Sequence, residues 1–245
     1  MPAATRVREV EHTIDVGRSG RSPLRVAFAS DLHVGPLTPP RLLDEAFDRL
    51  ARWRPDVLAL GGDYVSLDVT PAMAARLSSL VARVPAAIKV GVLGNHDLWT
   101  DHGLIERALA DAGVRVLVNE SFALPAPHDD VAFVGLDDPW SGEPDPARAF
   151  AGVTAPVRLG VVHAPEGQPF ATGRGLALLM CGHTHGGQVA LPSGPVVVHG
   201  PLGRRWPGGL YDVDDLKLYV SRGLGTVDLP LRLYAPAEVA LFTIT

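Results

Sequence analysis

Five short motifs of aspartate, asparagine and histidine follow apolar segments of this chain. They are Asp31-Leu32-His33, Gly61-Gly62-Asp63, Gly94-Asn95-His96-Asp97, His163 and Gly182-His183-Thr184-His185. Carboxylate, amide and imidazole groups bind divalent transition metals. The chain has one cysteine, Cys181, which excludes a multi-thiolate zinc site and a disulfide framework. The motifs therefore predict a metal site built from nitrogen and oxygen ligands.

The spacing of the motifs predicts that they meet in space. The separations from Asp31 to Asp63 and from Asp63 to Asn95 are both 32 residues, which matches a strand–helix–strand unit. The carboxyl ends of adjacent parallel strands lie side by side, and ligands of open α/β sheets bind there. We therefore expect these side chains to converge at one edge of a sheet.

The number of ligands indicates two metal ions. Two Asp, one Asn and four His are seven ligands, more than one tetrahedral zinc ion takes. Two ions about 3.5–4 Å apart need a bridging carboxylate, and Asp63, on the central strand of three, is the expected bridge. A water between two dications ionises near neutral pH, while the ions neutralise phosphoryl oxygens. The predicted reaction is attack of a metal-bridging hydroxide on a phosphoester.

Each motif alone also has an ordinary explanation. An Asp-x-His pair is common by chance, Gly-Gly-Asp is a usual turn, and an isolated His163 is typical of a packed core histidine. What favours the metal site is the combination, because all five motifs follow apolar segments within one chain.

Apolar periodicity predicts the elements that position the motifs. Alternation of strands and helices favours strand–helix–strand units and an α/β fold. We expect helices that begin at residues 39–40 and at 71, a third helix over 101–112, and strands over 25–30, 56–60, 88–93, 114–118, 131–136, 157–162, 176–181, 217–220 and 239–244. We interpret residues 137–147 as a surface loop. One domain then spans 1–245, with the metal motifs in 31–185 and further strands in 186–245.

Composition narrows the class of protein. The chain has 245 residues, a net charge of −5 and a pI near 6.0, which argues against a nucleic-acid partner because such domains have a pI above about 9. No segment approaches the roughly 18 apolar residues of a transmembrane helix. Residues 1–20 are polar and lack the apolar region of a secretory signal. We therefore expect a cytoplasmic protein, with peripheral association with a membrane as the alternative.

The ordered motifs resemble the calcineurin-like metallophosphoesterase superfamily. Flanking segments resemble its YkuE/YaeI-like branch: Ser30-Asp31-Leu32-His33, Gly61-Gly62-Asp63-Tyr64-Val65-Ser66, Gly135-Leu136-Asp137-Asp138, residues 181–188 and Tyr219-Val220-Ser221-Arg222-Gly223-Leu224-Gly225-Thr226. The resemblance extends over nearly the whole chain. It implies two packed mixed β-sheets flanked by helices, and a phosphodiesterase acting on a small-molecule or lipid-derived phosphoester.

The resemblance also implies a role for each site residue. One metal ion would take Asp31, His33, Asp63 and His185, and the other Asp63, Asn95, His163 and His183. Mn²⁺ is the expected ion, with Fe, Zn, Ni and Co as alternatives. His96 matches the proton donor or phosphate binder, with Asp97 as its orienting partner. An imidazole polarised by a carboxylate can protonate a departing alkoxide.

Two segments depart from the relatives, and two other functions stay open. Ser66 replaces a common acidic residue, and Ala164-Pro165-Glu166 replaces the usual Asn-Pro-Asp. A UDP-2,3-diacylglucosamine pyrophosphatase of lipid A synthesis, known in the superfamily, would need an apolar acyl channel. A non-catalytic metal-binding scaffold would be indicated by lost ligands, and none is lost here.

Four residues outside the motifs carry weaker indications. Arg204 and Arg205 have the chemistry to clamp a phosphate, although a solvated charge pair is the simpler interpretation. Trp99 and Trp140 follow site motifs and either wall the site or pack in the core.

Overall fold

The structure is a computed structural model that describes residues 6–245. The first five residues of the predicted polar N-terminal segment therefore lie outside it. The strands are β1 (Arg8–Ile14), β2 (Leu24–Ala29), β3 (Val57–Leu60), β4 (Ile88–Gly91), β5 (Val114–Val116), β6 (Glu120–Ala123), β7 (Val131–Gly135), β8 (Val157–Val161), β9 (Leu178–Cys181), β10 (Ala190–Leu191), β11 (Gly194–Pro195), β12 (Gly209–Val213), β13 (Leu216–Val220) and β14 (Glu238–Ile244). The helices are α1 (Pro40–Trp53), α2 (Pro71–Ala82), α3 (Asn95–Leu98), α4 (His102–Asp111), α5 (Pro146–Ala149), α6 (Gln168–Ala171) and α7 (Pro201–Arg205).

The strands form two six-stranded mixed sheets and the small hairpin β10–β11. The first sheet has the order β1-β14-β2-β3-β4-β5, and the second has the order β12-β13-β9-β8-β7-β6. In the first sheet β2 to β5 run parallel and β14 runs antiparallel to β2. In the second sheet β7, β8, β9 and β13 run parallel between antiparallel edge strands.

The two sheets pack face to face and helices cover their outer faces. Phe28 and Phe242 from the first sheet meet Phe133 and Tyr219 from the second in one fully buried cluster. Apolar residues of α1, α2 and α4 pack on the other face of the first sheet, and residues of α5, α6 and α7 pack on that of the second. The predicted α/β class, with two packed mixed sheets flanked by helices, is confirmed.

The first helix shows how the sequence specifies a covering element. Pro40 suits the first helical position because it needs no amide donor there. Buried residues at helical spacing, Leu43, Phe47 and Leu50 among them, face the sheet. The helix ends at Arg54, which has a left-handed backbone with φ of 53°.

Thr70 caps α2, and its removal is expected to cost stability. Its hydroxyl accepts a hydrogen bond from the Met73 amide at 3.2 Å. We expect Thr70→Ala to lower the free energy of unfolding by about 1 kcal/mol in urea denaturation, because one helix N–H loses its partner. Ser79→Ala, on the exposed side of the same helix, should cost nothing. Equal stability of the two variants would rule out the capping role.

All nine predicted strands are present, and β1 was missed for a clear reason. Its segment Arg8–Ile14 carries Arg8, Glu9 and Glu11, and reads as polar coil. It is an edge strand, paired with β14 alone from Arg8↔Glu238 to Ile14↔Ile244. Edge strands tolerate charge because one side of the strand faces solvent. Among residues 6–245, no helix has the length and apolar character needed to cross a membrane.

Candidate metal centre

The seven predicted ligands lie together at the carboxyl ends of strands from both sheets. Asp31 follows β2, Asp63 follows β3 and Asn95 begins α3 after β4. His163 follows β8, and His183 follows β9 with His185 two residues on. The parallel strands of both sheets thus deliver all seven side chains to one place, as the spacing predicts.

The first group consists of Asp31, His33 and His185. One ligand atom from each lies within 4.8 Å of the others. His33 Nε2 is 3.1 Å from His185 Nε2, which in turn is 3.4 Å from Asp31 Oδ1. Ligand atoms about 2 Å from one cation have separations of this order.

The second group consists of Asp63, His163 and His183, with ligand atoms again within 4.8 Å of one another. His163 Nε2 is 3.2 Å from Asp63 Oδ2 and 3.2 Å from His183 Nδ1. Asn95 lines the same cavity as Asp63 and His183. Its Oδ1 is buried and has no hydrogen-bond partner, so this amide oxygen is available as a ligand for a cation.

Asp63 lies between the two groups. Its Oδ2 is 3.2 Å from His163 Nε2 in the second group and 3.7 Å from His33 Nε2 in the first. Its Oδ1 accepts a hydrogen bond from the His96 amide at 3.0 Å. This single carboxylate therefore lies against imidazoles of both candidate sites.

Backbone carbonyls orient two of the imidazoles. His33 Nδ1 donates to the Val65 carbonyl at 3.1 Å, and His163 Nδ1 donates to the Gly61 carbonyl at 2.7 Å. Each ring consequently directs Nε2 towards the carboxylates. Metal-binding histidines are usually held in this way through the nitrogen that does not bind the ion, so the donor set fits a pair of divalent cations.

Burial keeps three of the four candidate histidine ligands neutral. It lowers the pKa of His33 and of His183 from 6.5 to about 3, and it lowers the pKa of His185 well below 6.5. These three rings are neutral near pH 7, the form that binds metal ions. Burial acts to raise the pKa of Asp63, but the adjacent His163 outweighs it and holds that pKa below its usual range.

The ligand loops have unusual backbone geometry. Asp31, His33, Asp63, His183 and His185 all have positive φ, between 45° and 69°. Such residues cost about 1–3 kcal/mol each and cluster at functional sites. Two neighbouring glycines make room for them. A Cβ on Gly94 would clash with the Asp63 carboxylate, and one on Gly182 with Ser30 and Asp31.

Asp97 has a different role from the one expected. It does not contact the His96 imidazole. Its Oδ2 accepts hydrogen bonds from the amides of Asp63 at 2.8 Å and Gly94 at 2.9 Å, and its Oδ1 accepts from Tyr64 at 2.8 Å. The prediction that Asp97 orients His96 is wrong in this respect, because the carboxylate is used by the backbone of the Asp63 loop.

His96 is instead oriented by a backbone carbonyl. Its Nδ1 donates to the Ser66 carbonyl, so Nε2 is the free nitrogen. The half-buried ring lines the cavity above the centre. It lies between His33, with ring centroids 5.1 Å apart, and Trp99, at 4.7 Å. Ser66 thus contributes its backbone carbonyl.

Arg232 is a buried residue beside the centre to which the sequence analysis assigned no role. Its side chain is fully buried and donates to the carbonyls of Arg222 at 2.8 Å and Ala235 at 3.1 Å. Its Nη2 lies 3.0 Å from His185 Nδ1. The neighbouring leucines in the sequence do not predict that Arg232 is buried beside the centre, because this burial depends on the C-terminal loop folding over the site.

Asp138 is a second buried residue of this kind. Its Oδ2 accepts from the amides of Trp140 at 3.0 Å and Ser141 at 2.7 Å. It thereby fixes the turn that stacks Trp140 on His183, with centroids 5.4 Å apart. Its position within three residues of the end of a buried strand was the available signal.

The residues with weaker indications are divided between two places. Trp99 and Trp140 line the cavity and are 64% and 47% exposed, so they wall the site. Arg204 and Arg205 are exposed on α7 and do not line the cavity. Arg204 Nε donates to the Gly200 carbonyl at 3.1 Å, and the Arg205 guanidinium lies over the Trp206 ring at 5.0 Å.

Comparison with known proteins supports the same interpretation. A sequence model of the calcineurin-like phosphoesterase family matches residues 24–187. Phosphodiesterase YaeI of Escherichia coli is 30% identical over 95% of this chain and 86% of its own length. The uncharacterized metallophosphoesterase YkuE of Bacillus subtilis is 26% identical over 97% of this chain and 85% of its own.

A solved structure agrees at the level of the fold. The 5′-nucleotidase precursor of Thermus thermophilus superposes on 91% of this chain with a TM-score of 0.52 and 16% identity. The chain spans 55% of the length of that protein. The sequence match, which includes all five motifs, shows that the chain belongs to the calcineurin-like phosphoesterase family of metal-dependent phosphoester hydrolases.

Proposed function

We propose that this chain is a phosphodiesterase that works with two divalent cations, Mn²⁺ first among them. One cation would be held by Asp31, His33, Asp63 and His185, and the other by Asp63, Asn95, His163 and His183. The observation that carries the proposal is the Asp63 carboxylate, 3.2 Å from one ligand group and 3.7 Å from the other. The whole of 1–245 is taken as one domain.

When bound, two such cations would supply an activated water and neutralise charge on the phosphoryl oxygens. The residues of the chain bind the cations and transfer a proton. The imidazoles and carboxylates fix the cations at the strand ends. His96 presents Nε2 to the cavity, because its Nδ1 donates to the Ser66 carbonyl. We assign to it the protonation of the leaving oxygen.

The preference for a diester is supported by a relative that carries this name, phosphodiesterase YaeI, over 95% of the chain. The experiment is hydrolysis of bis-p-nitrophenyl phosphate by metal-stripped protein during titration with Mn²⁺, with the monoester p-nitrophenyl phosphate in parallel. We expect Mn²⁺-dependent turnover, faster on the diester. Absence of turnover after loading would overturn the enzymatic proposal, and faster turnover of the monoester would overturn the diester preference.

His96→Ala is expected to slow the reaction in a way that depends on the leaving group. General acid catalysis contributes about 10²–10⁴-fold, and an alkoxide needs the proton far more than p-nitrophenolate does. We expect kcat to fall about 10²-fold for a dialkyl phosphodiester and less than about tenfold for bis-p-nitrophenyl phosphate.

The matched control is His102→Ala, because His102 is exposed at the start of α4. It should retain full activity on both diesters. If His96→Ala slowed both diesters equally, its role would be binding the phosphate and not donating the proton.

A further inference from the structure

The cavity above the candidate metal centre has two chemically different parts. It measures ≈ 720 Å³. Its floor carries the polar groups of the centre, among them Asp63, Asn95 and His96. One side, which we term the aliphatic wall, is formed by Val189, Val196, Val197, Val227 and Leu229.

The aliphatic wall leaves large apolar side chains open to the cavity. Val196, Val197 and Leu229 are 58%, 62% and 56% exposed. Contiguous exposed apolar groups at a site are costly in water and usually mark a surface that another apolar group covers. Because the wall is continuous with the centre, that group would belong to the molecule whose phosphate lies over the centre.

Hydrogen bonds hold the segments of the wall together. The Val196 amide donates to the Val189 carbonyl at 3.1 Å. The Gln188 side chain accepts from the Val227 amide at 2.8 Å and donates to the Leu229 carbonyl at 3.0 Å. The wall is therefore a formed surface of three chain segments.

Two polar side chains beside the wall, those of Gln188 and Thr184, are already used. Both ends of the Gln188 amide are bonded to the backbone of Val227 and Leu229, and the Thr184 hydroxyl donates to the Pro207 carbonyl at 2.9 Å. A sugar or peptide placed against these two side chains would lose hydrogen bonds to water without replacement. The charged residue on this side, Asp228, is exposed and would repel a second phosphate.

We propose that the substrate is an amphiphilic phosphodiester whose aliphatic chain lies along the wall while its phosphate lies over the centre. This inference rests on the proposed phosphodiesterase function. It adds that one of the two alcohols esterified to the substrate phosphate carries an aliphatic chain. Branched aliphatic side chains without free donors fit an alkyl or acyl chain better than a flat heterocycle, which would leave its ring nitrogens unpaired.

The experiment compares n-alkyl p-nitrophenyl phosphodiesters from methyl to octyl, each below its micelle concentration, with the Mn²⁺-loaded protein. Full burial of one methylene corresponds to about a fourfold change in affinity. Because the wall covers one side of the chain, we expect kcat/KM to rise about 10²-fold across the series.

Two variants of similar exposure locate the effect. Val197→Asn should lower the octyl-to-methyl ratio of kcat/KM about tenfold. Leu191→Asn is the control, because Leu191 is 52% exposed on the adjacent hairpin β10–β11 but does not line the cavity. Leu191→Asn should leave the octyl-to-methyl ratio unchanged. A change in that ratio would indicate that the octyl chain adsorbs non-specifically to exposed apolar residues.

The possible failures are distinguishable. Turnover of the methyl diester without any rise along the series would overturn this inference and leave the phosphodiesterase function intact. A rise that Val197→Asn does not reduce, or that Leu191→Asn reduces equally, would overturn the assignment to the wall. Preference for a nucleoside diester over the octyl diester would identify a heterocycle as the occupant. No turnover of any diester would overturn the proposed function itself.

Discussion

Asp63→Asn is expected to lower kcat/KM for bis-p-nitrophenyl phosphate by about 10⁴-fold or more, equivalent to about 5.5 kcal/mol of transition-state stabilisation. The carboxylate is fully buried and contacts both ligand groups through Oδ2. The isosteric amide can keep the hydrogen bond from the His96 amide, but its NH₂ group cannot ligate a cation. The loss should therefore arise with the fold intact.

The control for this variant is Asp212→Asn. Asp212 is 86% exposed and pairs with Lys217 on the surface, so its substitution should leave kcat/KM unchanged. Both proteins should unfold at similar urea concentrations. A folded Asp63→Asn variant with undiminished turnover would refute the bridging role, and with it the two-cation mechanism.

Asp97→Asn is expected to destabilise the protein by about 2–4 kcal/mol, and to do so before any metal is added. The Asp97 carboxylate is fully buried and accepts from the amides of Asp63, Gly94 and Tyr64. Replacing one carboxylate oxygen by NH₂ places a hydrogen-bond donor against backbone N–H groups, which are donors themselves. Those buried N–H groups then lose their acceptor. The Asp63 loop should loosen and metal affinity should fall.

The measurement is urea denaturation of the metal-free variant, followed by metal titration. Working without metal separates loop stability from stabilisation by a bound ion. Asp101→Asn is the matched control, because Asp101 caps α4 with a single exposed contact and asparagine caps as well as aspartate. An Asp97→Asn variant that is inactive yet as stable as the wild type would restore the role of orienting His96.

The arrangement of the centre was predictable because it depends on strand ends. Asp31, Asp63 and Asn95 recur at equal spacing after apolar segments, and parallel strands must bring such residues together. The sequence could therefore locate the seven candidate ligands and the carboxylate that lies between the two groups. It could not show the left-handed backbone of Asp31 and Asp63, which reflects loop packing around Gly94 and Gly182.

Residues that act through tertiary contacts were beyond sequence analysis. Asp97 lies next to His96 in the chain, yet its carboxylate turns to the amides of another loop. Arg232 is distant from every motif and reaches His185 only in the folded chain. Proximity in the sequence suggested the wrong partner for Asp97 and no partner for Arg232.

The aliphatic wall was hidden for a similar reason. Val189, Val197 and Leu229 lie in three segments between the last metal motif and β14. Each segment alone reads as an ordinary loop with a few apolar residues. Only the pairing of the hairpin β10–β11 with neighbouring loops places them over the centre.

The most direct test of the central claim is the number of metal ions on which activity depends. Metal-stripped protein would be loaded with Mn²⁺, separated from free ions, and analysed for bound metal and for hydrolysis of bis-p-nitrophenyl phosphate. We expect two equivalents per chain, activity that follows the second equivalent, and at most one equivalent in Asp63→Asn. Fewer than one equivalent in the wild type, or full activity at a single equivalent, would contradict a centre in which Asp63 joins two cations.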